Sequence, residues 1–415
     1  MANVLILTLV FPPDSVSTAQ IMGELCRDLQ SKGHEVTVLT TIPHFNRDPE
    51  AESRQPIRNH WGLVLRKSDY HGITVYHTYM PRKGKSVFLR LLAWSGFHLT
   101  SMVAGMSAIP RPDIIIAPSP PLTIGVVAWI LGKFHGAPFI YNVQEIYPDI
   151  AVRLGALRNK RLIGLLGRLE RFVYRKGAKI TVIAPRMRQR LLEKGVPPDK
   201  VEVVPNFVDL DDLSPLPKDN DFSRRHGIQE KFVVSYAGNM GPAQGLESFI
   251  ESAASLRDEP GIHFLMMGDG ILKDSLRERV EKSGLGNFTF LPYQSYSTIP
   301  RIYAASSVCL VPQTAETGCD AVPSKVYRIM ACARPVVAST DLDSDLAHLI
   351  LKAGCGVVVP PGSPGALSEA IRGAYRDQAR WMEMGRAGRS HVVAEYSRPV
   401  ITARYHDLIM TMTNG

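Results

Sequence analysis

Short apolar runs recur along the chain, separated by stretches in which apolar positions repeat with a helical period. Residues 4–10 predict a buried strand that stops at a Pro12-Pro13 turn. Residues 18–32 carry their apolar positions on one face and end at Gly33, the pattern of an amphipathic helix. A strand at 35–40 follows, then a polar loop over 43–58 and strands at 63–66 and 73–79. A helix starts at Ser86, and strands at 113–117, 139–143 and 179–183 alternate with further helices. Apolar strands alternating with helices predict a parallel sheet covered on both faces, with ligands at the C-terminal ends of its strands.

The pattern changes at 201–218, where a short strand gives way to a Pro- and Asp-rich loop that marks a domain boundary. A second α/β series follows, with strands near 232, 262, 288, 308, 336 and 357. The predicted fold is α/β, two Rossmann-like doubly wound domains facing across a cleft. The first covers 1–205 and the second 206–394, with a C-terminal helix near 395–415 packing back on the first.

A length of 415 residues suits two cores, and 45% hydrophobic residues exclude a disordered chain. The formal net charge of +9 points to a polyanionic partner: nucleic acid, anionic membrane or phosphate-bearing substrate. Nucleic acid ranks low, because the basic residues show no aromatic interleaving. Five widely spaced cysteines without a C-x-x-C pair predict buried free thiols in a reducing compartment. The first residues lack a charged n-region and cleavage site, so a cytoplasmic protein is expected. Residues 88–109 are apolar but interrupted by Arg90 and His98, and they follow the basic loop Arg82-Lys83-Gly84-Lys85. Two readings stand there: a face docking on anionic lipid at the inner side of the membrane, or a helix packed into its own domain.

Residues 319–339 carry the most chemistry. They read as a loop, a Ser-capped helix opening at Pro323-Ser324-Lys325, and a buried strand. Unpaired amides at that helix start, with Lys325 beside them, suit a phosphate or pyrophosphate. A second anion turn follows the strand at 232–237, through Gly238, Asn239 and Gly241. Tyr293, after the strand near 288, is a candidate to stack on a base, with core packing the equal alternative. Twelve histidines show no ligand spacing, and Asp341-Leu342-Asp343-Ser344-Asp345 reads as a solvated loop or helix cap, so no metal is expected.

The Pro12-Pro13 turn, Gly33-His34-Glu35-Val36, the linker Pro205-Asn206-Phe207-Val208-Asp209, the Gly238 turn, 319–339 and 355–371 together resemble the GT-B fold glycosyltransferases of family 4. The likeness spans nearly the whole chain, and its P-S-K-x-Y segment is similar to bacterial amino-sugar (N-acetylfucosamine-like) transferases of O-antigen, capsule and colanic-acid assembly. The resemblance implies metal-independent, retaining transfer from a nucleotide sugar, UDP-linked and N-acetylated, to a polyprenyl-diphosphate-linked or saccharide acceptor. It needs no cofactor beyond that co-substrate. Lys325 would neutralise the leaving diphosphate, with Gly238, Asn239, Gly241, Pro323, Ser324 and Arg328 about the donor. Members carry two Glu eight positions apart; here those positions are Asp320 and Arg328, with Glu316 a rival for the first. Asn239 and Gln244 stand where the family has Arg and Lys. Glu145, in Tyr141-Asn142-Val143-Gln144-Glu145, matches the family's acidic acceptor position. Two alternatives stay open: a silent GT-B scaffold that binds nucleotide or membrane, and a nucleotide-sugar 2-epimerase.

Overall fold

The computed structural model describes residues 1–413 apart from 15, 45–48, 63–64, 81–86, 154 and 316–321. The chain divides into two compact units, one of Met1–Asn206 with Arg398–Gly415, the other of Phe207–Ser397.

The first unit is built on nine strands: β1 Asn3–Leu7, β2 Glu35–Thr41, β3 Arg58–Trp61, β4 Leu65–Tyr70, β5 Ile73–Thr78, β6 Ile114–Pro118, β7 Phe139–Val143, β8 Lys179–Val182 and β9 Val201–Val203. Their order is β3-β4-β5-β2-β1-β6-β7-β8-β9. From β5 to β9 the sheet is parallel, and β1, β6 and β7 are almost wholly buried, as their apolar runs predict.

The other edge departs from the expected parallel sheet, because β4 is antiparallel to both β3 and β5. The cause is local. His71 and Gly72 both have positive φ, at 53° and 83°, and two such residues close a tight hairpin whose twist matches the strands. Every residue of β3 is exposed, and its sequence Arg-Asn-His-Trp carries no apolar run to announce a strand.

The helix Arg398–Thr413 belongs to this unit and packs on the helix Ser17–Ser31. Arg398 pairs with Asp28 at 2.9 Å, and the Thr402 hydroxyl donates to the same carboxylate at 2.8 Å. One helix turn on, His406 Nδ1 lies 2.9 Å from Nε2 of the buried His34.

In the second unit six parallel strands run β12-β11-β10-β13-β14-β15. They are β10 Phe232–Asn239, β11 Ile262–Asp269, β12 Phe288–Leu291, β13 Val308–Pro312, β14 Val336–Ser339 and β15 Gly356–Val359. Tyr236, Phe249, Phe264, Ile371 and Trp381 anchor the core on one face of the sheet. The chain winds from β10 outward to β12, then returns to the other side of β10 to lay down β13 to β15. The direction of winding therefore switches between β10 and β13, and the loops leaving these neighbours diverge above their C-terminal ends, the usual ligand position in an open α/β sheet. In the first unit the switch falls between β1 and β6.

Candidate functional site

Both anion-binding candidates lie at the switch point of the second unit, one following β10 and one following β13. Backbone packing fixes the first. Gly238, Gly268 and Gly270 have φ of 147°, 147° and 155°, a region closed to most side chains. A Cβ at Gly268 would sit 1.8 Å from the Gly238 carbonyl oxygen, and one at Gly270 2.4 Å from that of Met240. The ends of β10 and β11 therefore meet backbone to backbone, joined by the Met240 amide donating to the Asp269 carbonyl at 2.8 Å. The Tyr236 hydroxyl donates to the Asn239 carbonyl at 2.5 Å and closes the turn from below. From β13 the Thr314 amide donates to Ala243 at 2.9 Å and ties the two loops together.

Lys325, first residue of the helix Lys325–Ala331, reaches over this turn. A Cβ on Gly238 would fall 2.6 Å from its Nζ, so the missing side chain is the space the ammonium occupies. Nζ stands 4.0 Å from the centre of the Tyr236 ring, close enough for a cation–π contact. Dehydration pulls the Lys325 pKa down from the ordinary lysine value to about 7. No described carboxylate offsets that cost. The residue as a whole is half-buried. A cation held this way gains when an anion arrives.

Other residues fall less simply. Ser324 occupies the position before the helix, but its backbone is helical, with φ −58° and ψ −19°, and its side chain makes no cap hydrogen bond. This corrects the expected Ser cap: capping needs an extended backbone at that position, and here a turn from Pro323 to Val326 leads into the helix instead. The Gly241 amide donates to Gln244 Oε1 at 3.1 Å, so a phosphate there would displace that side chain. Asn239 is exposed at the turn, and the half-buried Arg328 lies three residues on from Lys325, on the same side of the helix. Tyr293 is 47% exposed and follows β12, two strands from β10 and about 10 Å across the sheet. Asp320 and Glu316 lie outside the described residues, as do Arg82, Lys83 and Lys85.

Glu145 belongs to the first unit, half-buried just past the C-terminal end of β7. A chain of buried amides steadies that end. Asn142 donates to the Thr181 and Tyr405 hydroxyls, each at 2.9 Å, Gln144 donates to Asn142 Oδ1 at 2.6 Å, and Asn206 donates to Gln144 Oε1 at 2.8 Å. The neighbouring Asp149 is committed to structure, pairing with Arg190 and Lys194 at 2.9 Å each. The helix Val87–Ser107 buries Ala93 and Phe97 while Leu99 and Val103 stay more than half exposed. Among the described residues no helix is long and apolar enough to cross a membrane, and no group of three or more His, Cys, Asp or Glu is arranged to hold a metal. Ser344 caps the helix Asp345–Ala353 through the Ala347 amide, which accounts for the acidic run at 341–345. Cys26, Cys309, Cys332 and Cys355 are buried free thiols.

Sequence reading missed Tyr236, Gly268 and Gly270. The Gly-Asp-Gly that ends β11 was the available signal for the glycines. Tyr236 looked like one more apolar strand position.

The fold is shared with solved glycosyltransferases. Anabaena Alr3699/HepE, in a complex with UDP and glucose, superposes with a TM-score of 0.75 at 15% identity, covering 99% of this chain and 100% of that one. WaaG, a glycosyltransferase involved in lipopolysaccharide biosynthesis, gives 0.69 at 14%, covering 99% and 100%. Two such α/β units in one chain make up the GT-B fold of those enzymes. The chain belongs to this family: residues 18–206 match the glycosyl transferase 4-like domain and 218–391 match the glycosyl transferases group 1 domain. Among relatives, the colanic acid biosynthesis glycosyl transferase WcaI of Escherichia coli is 28% identical over 383 residues, 90% of this chain and 92% of that protein. Glycosyltransferase WbjE of Pseudomonas aeruginosa is 26% identical over 265 residues, 63% and 66% of the two chains.

Proposed function

We propose that this enzyme transfers a UDP-linked N-acetylated hexose or deoxyhexose, with retention at the anomeric carbon, to a lipid-linked or saccharide acceptor during assembly of a bacterial surface polysaccharide. The observation that carries the reading is the dehydrated ammonium of Lys325 seated on Gly238 at the switch point, with no carboxylate among the described residues to offset its charge. The names of WcaI and HepE's complex with UDP support the pathway and the donor. Metal-independent action in the cytoplasm, with peripheral contact at the membrane, belongs to the same proposal.

In the reaction the bond from the sugar's anomeric carbon to the diphosphate oxygen breaks, and a bond to the acceptor oxygen forms on the same face. The acceptor's proton passes to the departing phosphate. Negative charge grows on that diphosphate as the bond lengthens, and Lys325, aided by Arg328 and the amides of the Gly238 turn, stabilises it most at the transition state. Pro323 and Ser324 would flank the diphosphate, Asn239 and Gly241 the same group from the turn, and Tyr293 the base. Asp320, or Glu316 in its stead, would hold a donor hydroxyl, and Glu145 would orient the acceptor.

The silent-scaffold reading has one observation in its favour, the Gly241 amide already satisfied by Gln244. Incubating the protein with UDP-N-acetylhexosamines and a polyprenyl-diphosphate saccharide separates the two. A glycosylated product with unchanged anomeric configuration by NMR is expected. Binding of UDP without turnover of any donor leaves the scaffold, and an inverted product removes the retaining mechanism.

A further inference from the structure

We infer that the outward face of the helix Lys160–Lys176 is a docking surface for an anionic lipid bilayer. The exposed charges of this helix are all cationic: Lys160, Arg161, Arg168, Arg171, Arg175 and Lys176. Its one carboxylate, Glu170, is buried and accepts from Lys194 at 2.6 Å. Among the described residues no acidic side chain pairs with Arg161, Arg168, Arg171 or Arg175, whereas Arg224, Arg279 and Arg372 all have carboxylate partners.

Apolar groups lie within the same face. Leu165 is 60% exposed and Leu162 36%. At helical spacing Arg161 sits four residues before Leu165 and Arg168 three after, so the leucine projects between two guanidiniums. Beside this face is a cavity of about 460 Å³, lined in part by Arg171, Phe172, Arg175 and Val196. Lys200, also on its wall, is committed to the carbonyls of Arg175 and Gly177. The open arginines therefore provide its available positive charge. A helix lying in the headgroup plane needs this combination, with cations level with the phosphates and leucines buried below them. A hydrated polyanion would use the arginines and leave the leucines in water. The surface belongs to the first unit and the donor turn to the second, and its test requires no sugar transfer.

The test is co-sedimentation of the full chain with vesicles of phosphatidylcholine alone or with an equal part of phosphatidylglycerol. The wild type is expected to bind only the anionic vesicles. Each arginine near such a surface contributes about fivefold in partitioning, so R161Q/R168Q/R171Q should lose at least about tenfold. L165S should lose several-fold, and its deficit should persist at high salt, where the contribution of charge fades. All four side chains are exposed, and equal melting temperatures and equal UDP binding will show that fold and donor site are intact. Wild-type vesicle binding by the triple variant overturns the inference. So does a wild type that ignores anionic vesicles yet binds soluble heparin through these arginines, or a loss of binding confined to R82Q/K83Q/K85Q.

Discussion

Lys325 makes nucleotide binding depend on pH in a calculable way. In the free protein dehydration holds its pKa near 7. Against a diphosphate the charged form is favoured, and the pKa returns toward the ordinary lysine value of about 10.4. The bound state then holds more protons than the free state at every pH between those values, so affinity falls as pH rises through that window. With half the free lysines charged at pH 7 and about one in a hundred at pH 9, UDP should bind roughly fiftyfold more weakly at pH 9. The nucleotide's own phosphate is not the source, because it has lost its last proton by about pH 7. Calorimetry at pH 8 in buffers of different ionisation heat should register uptake of about 0.9 proton per UDP bound. Lys325→Met should weaken binding at pH 7 by about 4 kcal/mol, the equivalent of that pKa rise less the half of the lysines already charged, and flatten the profile. A flat wild-type profile, or a slope that survives in Lys325→Met, refutes the reasoning.

Gly238→Ala directs its methyl at the movable end of Lys325 and strains the backbone by about 1–3 kcal/mol, so UDP affinity should fall while the protein still folds. Gly268→Ala meets the Gly238 carbonyl instead and should destabilise the second unit by about 4 kcal/mol or more in denaturant unfolding; similar stabilities for the two variants would contradict the backbone contact. Glu145→Gln should lower turnover with UDP affinity unchanged, and wild-type turnover in a folded variant removes its acceptor role. His77 is buried and His98 half-buried, and both are held neutral by dehydration, with pKa values pushed down to about 4, so the unfolded chain binds their protons first as pH falls below about 6.5. These two rings together should take roughly 2–3 kcal/mol from stability between pH 6 and 5, and His77→Gln should remove about half of that share; a stability slope there that His77→Gln leaves unchanged would show that the ring is not held neutral.

Local pattern made the parallel strands legible, since β1, β6, β7, β10 and β13 are buried on both faces and their apolar runs say so. The antiparallel edge was not legible, because β3 is exposed throughout and pairing, not burial, makes it a strand. The Gly238 turn and Lys325 were both found, but 87 residues separate them, and only the return of the chain past β10 brings them together. The ring beneath the lysine was hidden for the same reason: Tyr236 serves the core and the site at once. The Gln244 contact with Gly241 escaped because a glutamine's partner cannot be read from composition. His34 is buried just before β2, and its partner lies 372 positions away in the last helix, beyond the reach of any local pattern.

A crystal structure with UDP bound tests the central claim most directly. The diphosphate is expected within about 2.7–3.2 Å of Lys325 Nζ, over the Gly238 turn between the ends of β10 and β13. A nucleotide held elsewhere, with Lys325 still resting on Gly238 and Tyr236 and touching no phosphate, would contradict it.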